Sequence, residues 1–474
     1  MSNLVVMKFG GTSVGNARRM QEVAEIVSHS DFEQRVVVVS AMSGITDLLL
    51  SAAHAAADKK HHDFMAAQQA IQTAHHTAIE ELALPADQAK HLTAAVNELL
   101  EELAHVLESI YALGELSNRA QDLIVSFGER LNIHLVAAAL AQKSTPARPV
   151  ETTKLIVTSN EFGNAQPQLD KSTPKATRVL GKLLDEGIVP VVTGFIGATT
   201  DGITTTLGRG GSDYSATILG YCLSAKEVWI WTDVSGVMTA DPRLIPHAHT
   251  LPILSYEEAA ELSYFGAKVL HPLTMVPAAL KNIPIIIKNT FQPDDPGTKI
   301  SKQAQRTKDG GKAITTMKNL SLITVQGKGM TGVPGVAAKV FGTIAAANIN
   351  VLFISQASSE YNISLVVRHD DGTEAMRILQ QTFGTELAKN NIETVKLENN
   401  LAIVAVVGEG MKGHPGVAGK TFASLGEEGI NIIAIAQGSS ERNISLVIAQ
   451  EDIPVAVRAV HDAFHLNGKD KEQV

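Results

Sequence analysis

Through the N-terminal part of the chain, short and almost wholly apolar runs alternate with longer stretches whose apolar positions recur every three to four residues. The apolar runs are Leu4-Val5-Val6-Met7, Arg35 to Ser40, Ile188 to Thr193, Val228 to Trp231 and Ile283 to Lys288. Rich in β-branched residues, they predict strands buried on both faces of a mostly parallel sheet. The periodic stretches predict helices over Asn16 to Val27, over Tyr214 to Leu223, and over most of Asp47 to Gln142 with a break at Leu84-Pro85-Ala86-Asp87. Such alternation is the pattern of an open α/β sheet between helical layers.

The C-terminal part is an internal repeat. Gly327-Lys-Gly-Met330 through Gln356-Ala-Ser-Ser-Glu-Tyr-Asn362-Ile-Ser364 recurs as Gly408-Glu-Gly-Met411 through Gln437-Gly-Ser-Ser-Glu-Arg-Asn443-Ile-Ser445, about 81 residues later. Each copy predicts strand (Leu320 to Val325; Leu401 to Val407), glycine loop, helix, strand (Val351 to Ser355; Ile432 to Ala436), strand (Ile363 to Val367; Ile444 to Ile448) and helix. That is a ferredoxin-like βαββαβ pattern, and two such units can share one sheet. The matched polar loops make equivalent small-molecule sites; the alternative is a duplicated packing module without a ligand. Gln292 to Gly297 and Lys299 to Lys312 are rich first in Pro and Gly and then in charge. The expected organisation is therefore an α/β domain over 1–298, a linker over 299–318, and repeat units over 319–396 and 397–474.

Two glycine-rich loops carry candidate chemistry. In the first, Lys8-Phe9-Gly10-Gly11-Thr12-Ser13 joins a strand to a helix. Adjacent glycines let backbone N–H groups approach a ligand, and the helix start adds a positive dipole end. With Lys8 to neutralise a phosphoryl group, this reads as a phosphate site, or more plainly as a tight turn beside a surface lysine. It is neither a P-loop nor a dinucleotide fingerprint. In the second loop, Thr204 to Asp213, Gly210 and Gly211 are further phosphate candidates, and Arg209 suits bidentate recognition of a carboxylate or phosphate. Asp213 has two roles open, helix N-cap and catalytic residue. The small-residue loop Ser40 to Thr46 should face the same crevice at the strand ends. Gly128 stands inside a helical pattern, and the adjacent Glu129 either holds an ammonium group or is a solvated helix carboxylate.

Composition narrows the class. The 474 residues suggest about three domains of ~150 each. A net charge of −9 argues against a nucleic-acid groove. The single Cys222 excludes an intramolecular disulfide and fits a reducing, cytoplasmic compartment. No signal pattern is visible and no apolar run approaches ~18 residues, so no membrane span is expected. His54, His61, His62, His75, His76, His91 and His105 crowd the helical stretch without metal-ligand spacing, and are expected on solvated faces with no metal bound.

Together these motifs resemble the aspartokinases. The resemblance rests on Lys8-Phe-Gly-Gly-Thr-Ser13, Ser-Gly-Ile-Thr46, Phe-Gly-Glu129-Arg, Thr-Thr-Leu-Gly-Arg209-Gly-Gly-Ser212-Asp213, Trp-Thr232-Asp233-Val, Phe-Gly-Ala-Lys268-Val-Leu-His-Pro and two ACT-type repeats. It covers essentially the whole chain. No homoserine dehydrogenase half follows, so the resemblance is to the monofunctional enzymes, with repeats similar to the threonine-responsive type. It implies the amino-acid-kinase fold and transfer of the γ-phosphoryl group of ATP to the β-carboxylate of L-aspartate. That reaction opens biosynthesis of lysine, threonine and methionine, with Mg²⁺ on the phosphates.

By the same resemblance Lys8 contacts the transferring phosphate, with Gly10 and Gly11 donating N–H groups. Thr46, Glu129, Arg209 and Ser212 hold aspartate, Glu129 on its ammonium and Arg209 on its carboxylate. Thr232, Asp233, Met238, Arg243 and Lys268 line the nucleotide. Met238 departs from the family, which usually has tyrosine there, and altered ATP affinity is expected. Gln356 and Gln437, with Asn362 and Asn443, are the effector candidates. A glutamine amide can read a hydroxyl-bearing amino acid such as threonine, while Glu360 and Glu441 keep lysine open. The ACT units imply a homo-oligomer, dimer or tetramer. The alternatives are another small-acid kinase of the same fold and a catalytically silent amino-acid sensor.

Overall fold

The apolar run at the N-terminus becomes the middle of a sheet covered on both faces. The structure, a computed structural model, describes residues 3–267 and 270–467. The chain divides into two units, Met1–Val237 with Thr250–Tyr256 and Val269–Gln303, and Met238–His249 with Glu257–Lys268 and Ala304–Val474.

The first unit runs β1 (Leu4–Phe9), α1 (Ala17–Ser28), β2 (Gln34–Val39), α2 (Ile45–Ala57), α3 (His61–Glu81), α4 (Ala86–Leu113), α5 (Asn118–Gln142) and β3 (Ala147–Val150). It continues with α6 (Leu169–Asp185), β4 (Val189–Thr193), β5 (Ile196–Ala198), β6 (Thr204–Thr206), α7 (Gly211–Leu223), β7 (Glu227–Thr232) and β8 (Ile253–Ser255). Helix α8 (Tyr256–Tyr264) leaves it after one residue; α9 (Pro272–Leu280), β9 (Ile285–Asn289) and β10 (Thr298–Ser301) complete it. The main sheet has the order β3-β4-β2-β1-β7-β9-β10-β8, parallel except where β10 meets β9. β5 and β6 form a separate antiparallel pair.

The two-residue period of a strand sorts β1 between the faces. Val5, Met7 and Phe9 join Met20 and Val23 of α1 and Leu131 and Leu135 of α5 in one core. Val6 and Lys8 therefore point the other way, to the side where α7 packs on β1. This is why a lysine can occupy a buried strand: its ammonium reaches the strand end on the α7 side.

Helix α5 is also long and apolar enough to cross a membrane, against the expectation that no segment would be. Its most apolar window is 78% buried within the fold, and it carries Asp122, Glu129 and Arg130. His75 departs from the expected solvated face as well. It is fully buried in α3 with a ring nitrogen 2.7 Å from the Ile71 carbonyl, and burial lowers its pKa.

The second unit contains β11 (Ala313–Gln326), α10 (Val336–Ala346), β12 (Phe353–Gln356), β13 (Asn362–Arg368), α11 (His369–Thr382), α12 (Gly384–Ala388) and β14 (Thr394–Val407). It ends with α13 (Val417–Glu427), β15 (Ala434–Ala436), β16 (Asn443–Ala449) and α14 (Ile453–Ala463). Its antiparallel sheet has the order β12-β13-β11-β14-β16-β15. β11 and β14 each serve both repeats. Leu322 to Gln326 pairs with Thr394 to Glu398, and Ala313 to Met317 pairs with Ile403 to Val407. The first repeat is thus inserted between an edge strand of the second repeat and the rest of it. Asn319 and Asn400, both with positive φ near the crossover, let the long strands shift register, a conformation asparagine tolerates. Within the stretch expected to be linker, Lys299–Ser301 belongs to β10 and 313–318 to β11.

Two excursions from the N-terminal part, Met238–His249 and Glu257–Lys268, belong to this second unit. Glu258 is fully buried there. One oxygen takes the Lys312 ammonium at 3.1 Å, and the other accepts the Glu409 N–H at 2.8 Å. Thr239 pairs through its N–H with the His249 carbonyl and through its hydroxyl with His461 at 3.1 Å.

Candidate active site

At the carboxyl ends of β1, β2 and β4, a cavity of about 440 Å³ is lined by the Ser40–Asp47 loop, Glu129, Phe195 and residues 208–213, with Lys8 and Gly11 at its base. Lys8 is only 8% exposed, and its Nζ lies 2.5 Å from Asp213 Oδ1. Two helices begin at this cavity, α2 with Gly44 as N-cap and α7 with Gly210 as N-cap, both in left-handed conformation. Neither has a side-chain cap, and residues of both helix starts line the cavity with Lys8. The arrangement suits an anion.

Close approach brings the walls together. A Cβ on Gly128 would lie 2.7 Å from the Ala41 side chain; glycine there lets α5 press against the 40s loop and carry Glu129 into the cavity. Asn132, one turn on, donates to the Ser40 carbonyl at 2.7 Å. A Cβ on Gly194 would lie 2.6 Å from Ser212, so the end of β4 admits the start of α7. Glu129 is 3% exposed, and burial pushes its pKa up to about 8, against the pull of the Ala41 and its own backbone N–H groups and the Lys8 charge. The solvated-carboxylate alternative for Glu129 is excluded. Its Oε2 has no hydrogen-bond partner among the described residues, and burial favours the neutral carboxyl.

Lys8, Gly11, Thr46, Glu129, Arg209, Gly210, Gly211, Ser212 and Asp213 thus share one cavity. Arg209 is exposed at its mouth. Three sequence expectations change. Gly10 N–H is directed to the Trp231 carbonyl at 3.3 Å, extending the β1–β7 ladder, and Gly10 does not line the cavity. Helix α1 starts at Ala17, and Asn16 caps it by accepting the Arg19 N–H; α2 and α7 supply the helix ends instead. Asp213 is the third residue of α7 and Gly210 is its N-cap, so the carboxylate is free of capping and pairs with Lys8.

The nucleotide candidates are not gathered in this cavity. Thr232 ends β7, with its hydroxyl 3.2 Å from Asp233 Oδ1. Met238 and Arg243 belong to the second unit, where Arg243 is largely exposed and paired with Asp241 at 2.6 Å. Lys268 lies outside the described residues. In the second unit, Gln356 lines a cavity of about 320 Å³ with Met330, Gly332–Ala337, Glu360 and Ile363. Asn362 starts the adjacent β13. In the second repeat, Asn443 donates to Glu261, and Glu258 accepts the Glu409 N–H. Gln437 lies just beyond β15.

Sequence reasoning missed Phe195, which lines the cavity with φ of 66°. Left-handed backbone at an aromatic residue costs on the order of 1–3 kcal/mol and clusters at functional sites. A Cβ on Gly211 would meet its ring at 2.6 Å, so the pair is shaped together. Nothing in Gly194-Phe195-Ile196 signals this.

The model of the Amino acid kinase family matches residues 3–289, and that of the ACT domain matches 323–383 and 404–464. The bifunctional aspartokinase/homoserine dehydrogenase 1 of Zea mays is 37% identical over 98% of this chain and 50% of its own length. The chain spans about half the length of the curated relatives that match first. Aspartokinase 2 of Arabidopsis thaliana is 35% identical over 97% of this chain and 84% of its own. Among solved structures, E. coli aspartokinase III with aspartate and ADP superposes with a TM-score of 0.80 at 31% identity, covering 97% of this chain and 99% of that one. The same enzyme with lysine and aspartate gives 0.79 at 32%, covering 98% and 100%. With a kinase-family match over more than half its length and full-length similarity to aspartokinases, the chain belongs to the amino acid kinase family, in its ACT-bearing aspartokinase branch.

Proposed function

We propose that the protein is an aspartate kinase, transferring the γ-phosphoryl group of ATP to the β-carboxylate of L-aspartate to give ADP and 4-phospho-L-aspartate. The observation that carries this is the buried Glu129 in one cavity with Arg209 and the Lys8–Asp213 pair. An α-amino acid presents an ammonium for the first, a carboxylate for the second, and a side-chain carboxylate toward Lys8. That nucleophile is ionised at neutral pH and needs no general base, so positioning and charge neutralisation suffice. Lys8 exchanges Asp213 for the transferring phosphoryl oxygens, and the α2 and α7 ends stabilise the charge. Thr46 and Ser212, in the same cavity, offer hydroxyls to the substrate.

Among the described residues, no group of three or more His, Cys, Asp or Glu side chains is placed to hold a metal ion. The Asp213 carboxylate fits a cation that keeps most of its shell from phosphate oxygens and water, as Mg²⁺ does. Bound Mg²⁺ neutralises phosphate charge. A coupled ADP-release assay tests the reading: release with aspartate is expected, and release only with glutamate or a nucleoside monophosphate sinks it.

Arg209→Lys is expected to raise the aspartate KM by ~10- to 100-fold despite the retained charge, because a lysine cannot make a planar two-point contact. Near-normal kinetics would place Arg209 away from the substrate carboxylate.

The proposed effector is threonine, bound by the first repeat. Its cavity presents Gln356, whose amide can both donate to and accept from a hydroxyl. One oxygen of Glu360 already accepts the Gly332 N–H at 2.8 Å, and Glu441 does the same for Gly413, which weakens the case for lysine. The exposed Ile354 of β12 and Ile435 of β15, on strands joined by the Ser355 hydroxyl and the Ile435 carbonyl, support association of copies into a dimer or larger homo-oligomer. In a threonine titration, Gln356→Ala is expected to lose inhibition while Gln437→Ala keeps it. Inhibition by lysine alone would overturn the effector and leave the kinase standing. The single buried Cys222 supports a reducing, cytoplasmic setting.

A further inference from the structure

Asp122 sits on α5 seven residues before Glu129, on the same helix face and about 10 Å along the axis. It is 2% exposed. Its Oδ2 accepts the backbone N–H groups of Thr206 at 2.9 Å and Gly163 at 3.0 Å, and its Oδ1 accepts the Thr206 hydroxyl at 2.8 Å. Thr206 is the last residue of β6 and stands three residues before Arg209. The intervening turn is tight, with Gly208 at φ 74° and Gly210 at φ 73°, and a Cβ on Gly208 would lie 2.6 Å from Asn164 Oδ1. Asn164 follows Gly163, so the segment packed against Gly208 is the one Asp122 holds. The Ala165 N–H closes the arrangement on the Thr206 carbonyl at 2.9 Å.

We infer that Asp122 is a positioning residue that fixes the separation between Glu129 and the Arg209 loop, and through it the length of amino acid the cavity accepts. The inference rests on the aspartate kinase reading. Glu129 is carried by α5, Arg209 by the β6–α7 loop, and the three Asp122 bonds tie that loop's root to α5. All three bonds are accepted by the carboxylate, so alanine at 122 would remove them together. A loop released at its root lets Arg209 drift, and misplacement of about 1 Å costs up to ~100-fold in a reaction that works by orientation. Glutamate, one methylene longer than aspartate, is the substrate such a drift would admit.

The test is steady-state kinetics on wild type and Asp122→Ala with aspartate, glutamate and ATP, with thermal unfolding as a check of folding. The expected result is an aspartate KM raised ~10- to 100-fold, an ATP KM within ~3-fold of wild type, and a reduced preference for aspartate over glutamate. Thr206→Val removes only the hydroxyl contact; it should show the same split at smaller size and serves if Asp122→Ala does not fold. Thr206→Ser, which keeps the hydroxyl, should restore wild-type values. A folded variant whose aspartate KM is unchanged, or whose two KM values rise together, would show that Asp122 serves stability alone. Wild-type enzyme inert toward aspartate would instead overturn the kinase reading itself.

Discussion

Glu129→Gln should abolish productive aspartate binding and at the same time make the protein more stable at alkaline pH. Burial holds the Glu129 pKa at about 8, against an ordinary value of 4.5. Between those two pH values the folded protein keeps a proton that the unfolded chain has released. Stability therefore falls as pH rises through this window and levels off above about 8, the opposite of a salt-bridged carboxylate. The full span amounts to a loss on the order of 4–5 kcal/mol, since each pH unit is worth about 1.4 kcal/mol. Glutamine carries no such penalty, so the stability difference between variant and wild type should grow from pH 5 to 8 and then stay constant. Urea unfolding at three pH values measures it.

The same pKa makes aspartate binding release a proton, because the substrate ammonium needs the ionised carboxylate. Affinity should strengthen up to about pH 8 in wild type, and calorimetry in buffers of different ionisation enthalpy should detect nearly one proton released at pH 7. Affinity flat from pH 6 to 8.5 would remove Glu129 from the ammonium site.

Lys8→Ala is the second large effect, a loss of ~100-fold in kcat with a much smaller rise in aspartate KM. A charge-assisted contact made to the transferring phosphoryl is worth ~3 kcal/mol in the transition state. The 2.5 Å pair with Asp213 adds to the loss, since removing the ammonium leaves a carboxylate where phosphate charge must come. Single-turnover measurement separates the chemical step from binding. A defect confined to KM would show that Lys8 binds ground and transition states equally.

The sequence by itself determined the central strands, several of the helices and the repeated units, with their order. A strand buried on both faces, a helix with a one-sided apolar stripe and a repeated unit are written in neighbouring residues or in self-similarity, so β1, β2, α1 and both ACT repeats were legible. So were most cavity residues, because glycine loops at strand ends leave a local mark. Tertiary structure alone decided which donor each loop offers. Gly10 N–H went to Trp231, and the helix ends beside Lys8 came from α2 and α7. It also decided that β11 and β14 are shared between repeats, that Met238 and Arg243 belong to the second unit, and that Asp122 carries the root of the Arg209 loop. These depend on hydrogen bonds between residues far apart in the chain. Local pattern fixes which face of an element is apolar; it leaves open which distant backbone group will satisfy a given N–H or carboxylate.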